Sequence, residues 1–186
     1  SETFYIGMPD TIPQFYNFDT EENYRTWRML DNNNDYERWQ RKLVDEKWSA
    51  SFTASESDAD DWLISVPLLL EKGKTYRIKF LAVCDFSFLT PSLEICLCKN
   101  GSDTDTIRLE ELQIKDTNFK KKNVVAAVPE TGPYSIGFHC NTTTLGAMIS
   151  LTEIMIEEYT DYDLEAVSLD ANLNPIATKE YVYTVQ

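Results

Sequence analysis

Two acidic runs and one histidine are the residues in this chain whose types and spacing could do chemistry. Asp31-Asn32-Asn33-Asn34-Asp35 offers oxygens at alternate positions, Asp31, Asn33 and Asp35, the spacing with which a tight loop aims several ligands at one hard cation such as calcium. It is not an EF-hand, because Tyr36 stands where the turn glycine would be and Lys42 where the bidentate glutamate would be. The same run also fits an Asn-rich turn whose side chains bond their own backbone. Glu56-Ser57-Asp58-Ala59-Asp60-Asp61 could supply a general acid and base from Asp58, Asp60 or Asp61 if two of them faced a cleft. A solvated charged loop is the alternative. His139 is the sole histidine, so a Ser-His-Asp or Cys-His triad and most zinc sites would have to run through it. In Tyr134 to Cys140 the alternation sets Tyr134, Ile136, Phe138 and Cys140 against Ser135, Gly137 and His139, which predicts a solvent-facing strand histidine.

Aromatic rings are the other chemically useful material. Sugar rings present apolar C–H faces that stack on exposed aromatics while neighbouring Asp and Asn bind hydroxyls. Trp48 lies outside any clear apolar alternation and, with Phe86 and Phe88 of Asp85-Phe86-Ser87-Phe88, is the expected ligand-binding platform. These rings could instead seal the ends of the fold. Trp27, Trp39 and Trp62 are expected in the core.

The elements that position these groups are strands. Thr75 to Cys84 alternates Tyr76, Ile78, Phe80 and Ala82 against Arg77, Lys79, Leu81 and Val83, an outer face that turns apolar midway, and Leu93 to Cys98 repeats the pattern before a hairpin signal at Lys99-Asn100-Gly101-Ser102. Asn123 to Val128 and Tyr134 to Cys140 are further strands, separated by a Pro129 to Pro133 turn. In Ala147 to Glu157 the apolar phase slips between Leu151 and Ile154, which predicts a bulge near Thr152-Glu153. Asp35 to Asp45 fits either a helical turn or a charged loop. Strands at turn-bounded intervals without helical patterns between them argue for an antiparallel sandwich or barrel.

The 186 residues, 42% hydrophobic with 6 Gly and 7 Pro, suit one large ordered domain or one domain plus a fragment. A net charge of -14 repels phosphate backbones and anionic lipid, and no apolar run approaches the length of a membrane helix. Neither nucleic acid nor membrane insertion is therefore expected. The chain opens at Ser1 without a basic or apolar leader, the expectation being that any signal peptide has been removed. Cys84 and Cys140 share inward faces and could meet in the core, whereas Cys96 and Cys98 share the opposite face, outward or against a covering segment; buried free thiols are the alternative to any pairing. A C-x-C spacing puts its two side chains about 7 Å apart, beyond disulfide reach. From Tyr159 the character changes to a polar linker and two strands, so the expected boundaries are 1–158 and 159–186. The tail looks like the opening of an immunoglobulin-like module, and two unaccompanied strands could dimerise through their open edges.

The order of Ile12-Pro13-Gln14-Phe15-Tyr16, Trp27, Leu30 to Asp35, Trp39, Asp60-Asp61-Trp62-Leu63-Ile64-Ser65 and Gly73-Lys74-Thr75-Tyr76 resembles the bacterial choice-of-anchor and cleaved-adhesin jelly rolls, relatives in architecture of the MAM domain. The resemblance spans roughly residues 12 to 158. It implies an all-β antiparallel jelly-roll β-sandwich of galactose-binding-like or concanavalin-like architecture. It also implies an extracellular or cell-surface module of a larger bacterial protein, non-catalytic, binding glycan or a host or cell-surface protein, with neighbouring domains as partners. The family's closing Asp-Asp-Ile or Asp-Asn-Ile element is here Thr152-Glu153-Ile154, which leaves one carboxylate at most for metal there. A carbohydrate-active enzyme using loop carboxylates and a purely structural spacer are the other two readings.

Overall fold

The computed structural model describes residues 8–54, 59–141 and 145–159. In chain order the elements are β1 (Gln14–Tyr16), α1 (Glu21–Arg25), β2 (Arg28–Asp31), β3 (Gln40–Val44), β4 (Lys47–Thr53), β5 (Asp61–Ile64), β6 (Leu68–Leu70), β7 (Thr75–Cys84), β8 (Ser92–Lys99), β9 (Thr106–Gln113), β10 (Lys120–Ala127), β11 (Gly132–Cys140) and β12 (Met148–Glu158). The strands form two antiparallel sheets, ordered β10-β7-β12-β4-β3 and β2-β5-β11-β8-β9. β1 joins the first by pairing β12, and β6 joins the second by pairing β11. The architecture is an all-β jelly-roll sandwich, the alternation having implied a sandwich or barrel and the resemblance the jelly roll.

Period-two burial explains why these segments pair as they do. In β7 Tyr76, Ile78, Phe80, Ala82 and Cys84 face inward and meet Ile149, Leu151 and Ile156 of β12. Phe138, Ile136 and Tyr134 of β11 and Leu93, Ile95 and Leu97 of β8 face them from the other sheet. Trp27 and Trp39 are buried among them, at 2% and 1% exposure. The expected bulge is present: the β12–β7 register shifts between Thr152 and Met155, and Glu153 has φ of 50°. At the same place β12 changes partner on its other edge, from Ala50 of β4 opposite Leu151 to Tyr16 of β1 opposite Ile154.

Several elements differ from the sequence expectations. Asp35 to Asp45 is neither a helical turn nor a plain loop, because Gln40–Val44 pairs with β4 and hairpins through Asp45 and Glu46, both at positive φ. β9 carries too many charges to stand out as a strand, and only Ile107, Leu109 and Leu112 pack on the core. α1 is one short turn whose cap, Thr20, accepts from the Asn23 N–H at 3.1 Å. Trp62 is not between the sheets: it lies on the outer face of the second sheet with Ile64, Cys96 and Cys98. Cys84 and Cys140 both face the core as expected, and all four thiols are buried and unbonded to one another, the free-thiol alternative. The expected second module, 159–186, falls almost entirely outside the described residues.

Candidate cation and ligand sites

The Asp31 to Asp35 run is the loop between β2 and β3. The Asp31 carboxylate accepts the Asp35 N–H at 3.2 Å and the Tyr36 N–H at 3.1 Å, which curls the loop back over the end of β2. Asp35 accepts the Glu37 N–H at 2.8 Å and the Asn33 side-chain amide at 2.9 Å. Asn34 and Tyr36 take positive φ to complete the turn.

The third carboxylate is not Asn33's neighbour in sequence. Asp61, the first residue of β5, sits directly opposite Asp31 in the β2–β5 ladder and, like it, faces inward. One carboxylate oxygen from each of Asp31, Asp35 and Asp61 falls within 4.8 Å of the others. Asp61 is fully buried, and neither of its carboxylate oxygens has a hydrogen-bond partner among the described residues. Burial, together with the charges of Asp35, Asp31 and Asp60, pushes its carboxyl up to about 7. Arg38, 3.8 Å from Asp31, is the nearby cation and lies mostly in solvent. Three converging carboxylates, one of them orphaned and buried, have the chemistry of a hard-cation site. Asp31 and Asp35 of the expected ligand set therefore converge; Asn33 instead steadies Asp35. Asp61, expected only as a possible acid or base, takes the third place. A sequence signal did exist, since an acid at the inward-facing start of an apolar strand needs a partner.

Asp60 and His139 belong to a separate arrangement. His139, opposite Trp62 on β11, stacks on that indole at 4.2 Å with rings 8° apart. Its Nε2 is 2.8 Å from Asp60 and its Nδ1 2.8 Å from Glu94, which also pairs with Arg108 at 3.0 Å. The Trp62 indole N–H donates to the same Asp60 oxygen at 3.2 Å. The strand histidine is thus on the outer face, as its parity implies, but its side chain is only 14% exposed. Gly137 makes the stack possible: a Cβ there would come 2.5 Å from the Cys98 sulfur and 3.2 Å from the Trp62 ring. Asp58 lies outside the described residues.

The structure divides the expected aromatic platform. Phe86 and Phe88 stand together in the β7–β8 loop, centroids 5.4 Å apart and 51% and 76% exposed. Asp85 holds that loop by accepting the Phe86 N–H at 3.0 Å and the Met148 N–H at 3.2 Å. Trp48 is not with them. It is the second residue of β4, about 13 Å along the strand from Phe52, which with Cys84 flanks Ile149 of β12. There it packs on the core beneath the Arg41 guanidinium, 3.5 Å from its ring centre. The cation cluster, by contrast, shares an end of the sandwich with Phe86 and Phe88, since Asp61 pairs Cys140, Cys140 pairs Leu93, and the β7–β8 loop leads into Leu93.

No family model and no curated protein matches the chain. Solved structures do share its fold. The K1 cleaved adhesin domain of Lys-gingipain from Porphyromonas gingivalis W83 aligns with a TM-score of 0.62 at 12% identity, over 80% of this chain and 99% of that one. The K2 cleaved adhesin domain of the same protein aligns at 0.60 and 15% identity, over 78% and 97%. The CBM22-2 xylan-binding domain from Paenibacillus barcinonensis Xyn10C aligns at 0.55 and 18% identity, over 78% and 99%. The two-sheet sandwich is a fold that these adhesin and xylan-binding domains share.

Proposed function

We propose that the chain is a non-catalytic glycan-binding module of a larger secreted or cell-surface bacterial protein, stiffened by calcium held between Asp31, Asp35 and Asp61. The observation that carries the reading is the Phe86–Phe88 pair: two large rings held out into solvent by a loop that Asp85 anchors. Rings fixed in this way lose little freedom on binding and offer flat apolar faces to a sugar. The cation cluster lies at the same end, so an ion there would stiffen the loops around the platform. The adhesin and xylan-binding domains that share the fold support a binding role.

Catalysis by the loop carboxylates is the weaker reading. Asp60 is committed to Trp62 and His139, and Asp61 is sealed from solvent, so neither stands as an acid or base beside an open cleft. The test is a broad glycan array, acidic and sulfated sugars included, read in calcium and in EDTA. Binding without product release, reduced by the Phe86→Ala/Phe88→Ala pair and by EDTA, is the expected result. Silence on the whole array would overturn the glycan reading, and turnover would overturn the non-catalytic one.

A further inference from the structure

The change of partner along β12 leaves a gap in the first sheet. β7 holds one edge of β12, so β4 and β1 share the other, and between them Thr152 and Glu153 have no ladder partner on that edge. The Thr152 hydroxyl turns to the Trp48 carbonyl at 2.9 Å, and Glu153 pairs with Lys47. A cavity of about 300 Å³ opens at this gap, lined by Thr152, Glu153, Lys47 and Glu46 on one side and by Phe15 and Asn17 on the other. A second open cavity, of about 370 Å³, lies across the same Phe15 and Asn17 and is lined further by Asn23, Thr26 and Asp10. Phe15 is 54% exposed, its neighbour Tyr16 having turned inward onto Trp27 at 5.3 Å.

We infer that this double cleft is a second binding site, in which Phe15 is the stacking platform for a neutral, hydroxyl-rich oligosaccharide that reaches into both cavities; this rests on the glycan-binding reading. Each cavity has the volume of a small-ligand pocket. One aromatic face flanked by amides and carboxylates matches the alternation of C–H face and hydroxyl edge in a pyranose chain. The amides are already set in place. The Asn17 carbonyl oxygen accepts the Asn23 amide at 2.8 Å, while the Asn17 amide donates to Asp19 at 2.7 Å. Among the described residues each amide is held through one N–H, which leaves the Asn23 carbonyl oxygen and the second N–H of each amide to meet a ligand. Charge sets the class: among the described residues that line the two cavities Asp10, Asp19, Glu46 and Glu153 outnumber Lys47, which is itself paired, so anionic sugars are disfavoured. No residue that lines this site belongs to the Phe86–Phe88 loop.

The test is calorimetric titration of the full chain with the neutral hexasaccharides of xylose, glucose and mannose. Phe15→Ala and Asn23→Ala should each weaken the bound sugar about tenfold or more, a loss typical of an aromatic or amide contact. Phe15→Trp should retain binding, and Leu43→Ala, on the exposed face of the β3–β4 hairpin, should match the wild type. Retention of binding by Phe15→Trp together with an unchanged melting temperature in Asn23→Ala separates a lost contact from a lost fold. Binding that survives both alanine changes, or disappears only with Phe88→Ala, would overturn the cleft and leave the glycan reading standing. Absence of binding to all three sugars would overturn the cleft too, while the array decides the broader reading independently.

Discussion

Asp31 and Asp61 face each other directly across the β2–β5 ladder, a like-charge pair at the inner rim of a sandwich. Such a pair opposes folding whenever both are ionised. The folded-state pKa of Asp61, raised from 3.8 to about 7, sets the direction. Below the lower value Asp61 is protonated in both states and imposes no penalty. As pH rises the unfolded chain gives up this proton first, so stability falls through the interval and levels off above about 7. The full shift corresponds to at most about 4 kcal/mol. Glu157, held below the usual range by Lys79 and Arg77, acts in the opposite sense, so the wild-type curve alone mixes the two. Urea unfolding of wild type and Asp61→Asn in EDTA at pH 5 and pH 8 isolates the Asp61 component. The asparagine variant should lose less stability over that span; equal losses would contradict a destabilising Asp61 charge.

Calcium should reverse the same penalty. At a free concentration a hundred times its dissociation constant an ion adds about 2.7 kcal/mol to the folded state. The gain should be larger at pH 8 than at pH 5, where protons compete for Asp61. Thermal unfolding in calcium and in EDTA checks this, and both Asp31→Asn and Asp61→Asn should abolish the difference. Identical melting curves for the wild type in the two buffers would remove the cation from the account.

How much of this was legible in the sequence depended on whether the signal was local. The β7 and β8 alternations and the slip at Thr152 are contained within single strands, and each appears where the pattern put it. Asp31 and Asp35 could be paired because one loop carries both. Asp61 could not join them on sequence alone, since its place depends on β2 and β5 becoming neighbours across thirty residues. Trp48 could not be set apart from Phe86 and Phe88 for the same reason: Arg41, which lies over its ring, arrives by the β3–β4 pairing. The Phe15 cleft needs three strands and a turn to converge. No single window of the sequence contains it.

The thiols should be inert in the native protein. Burial pushes Cys96 up to about 11 and raises Cys84, Cys98 and Cys140 as well, so little thiolate exists at pH 8 and access is closed. A thiol-exchange reagent should titrate none of the four rapidly in buffer and all four in guanidinium. Fast native labelling of any one would show that its cover opens, and stoichiometry below four after unfolding would reveal a disulfide.

Gly137 should be the least replaceable glycine in the second sheet. A methyl group there meets the Cys98 sulfur at 2.5 Å and the Trp62 ring at 3.2 Å, so one of them must move, and moving Trp62 disturbs its stack with His139. Gly137→Ala should cost about 1–3 kcal/mol, the range for overpacking a filled site, although alanine is the better strand residue. Urea unfolding gives the loss, and Trp fluorescence should report the displaced indole. Cys98→Ala removes the nearer obstacle, so the double variant should lose less than the two single changes added together, a coupling expected of groups in contact. A Gly137→Ala protein within about 0.5 kcal/mol of wild type would mean that the outer-face cluster yields freely. Additive losses would mean that the sulfur is not what the methyl group meets.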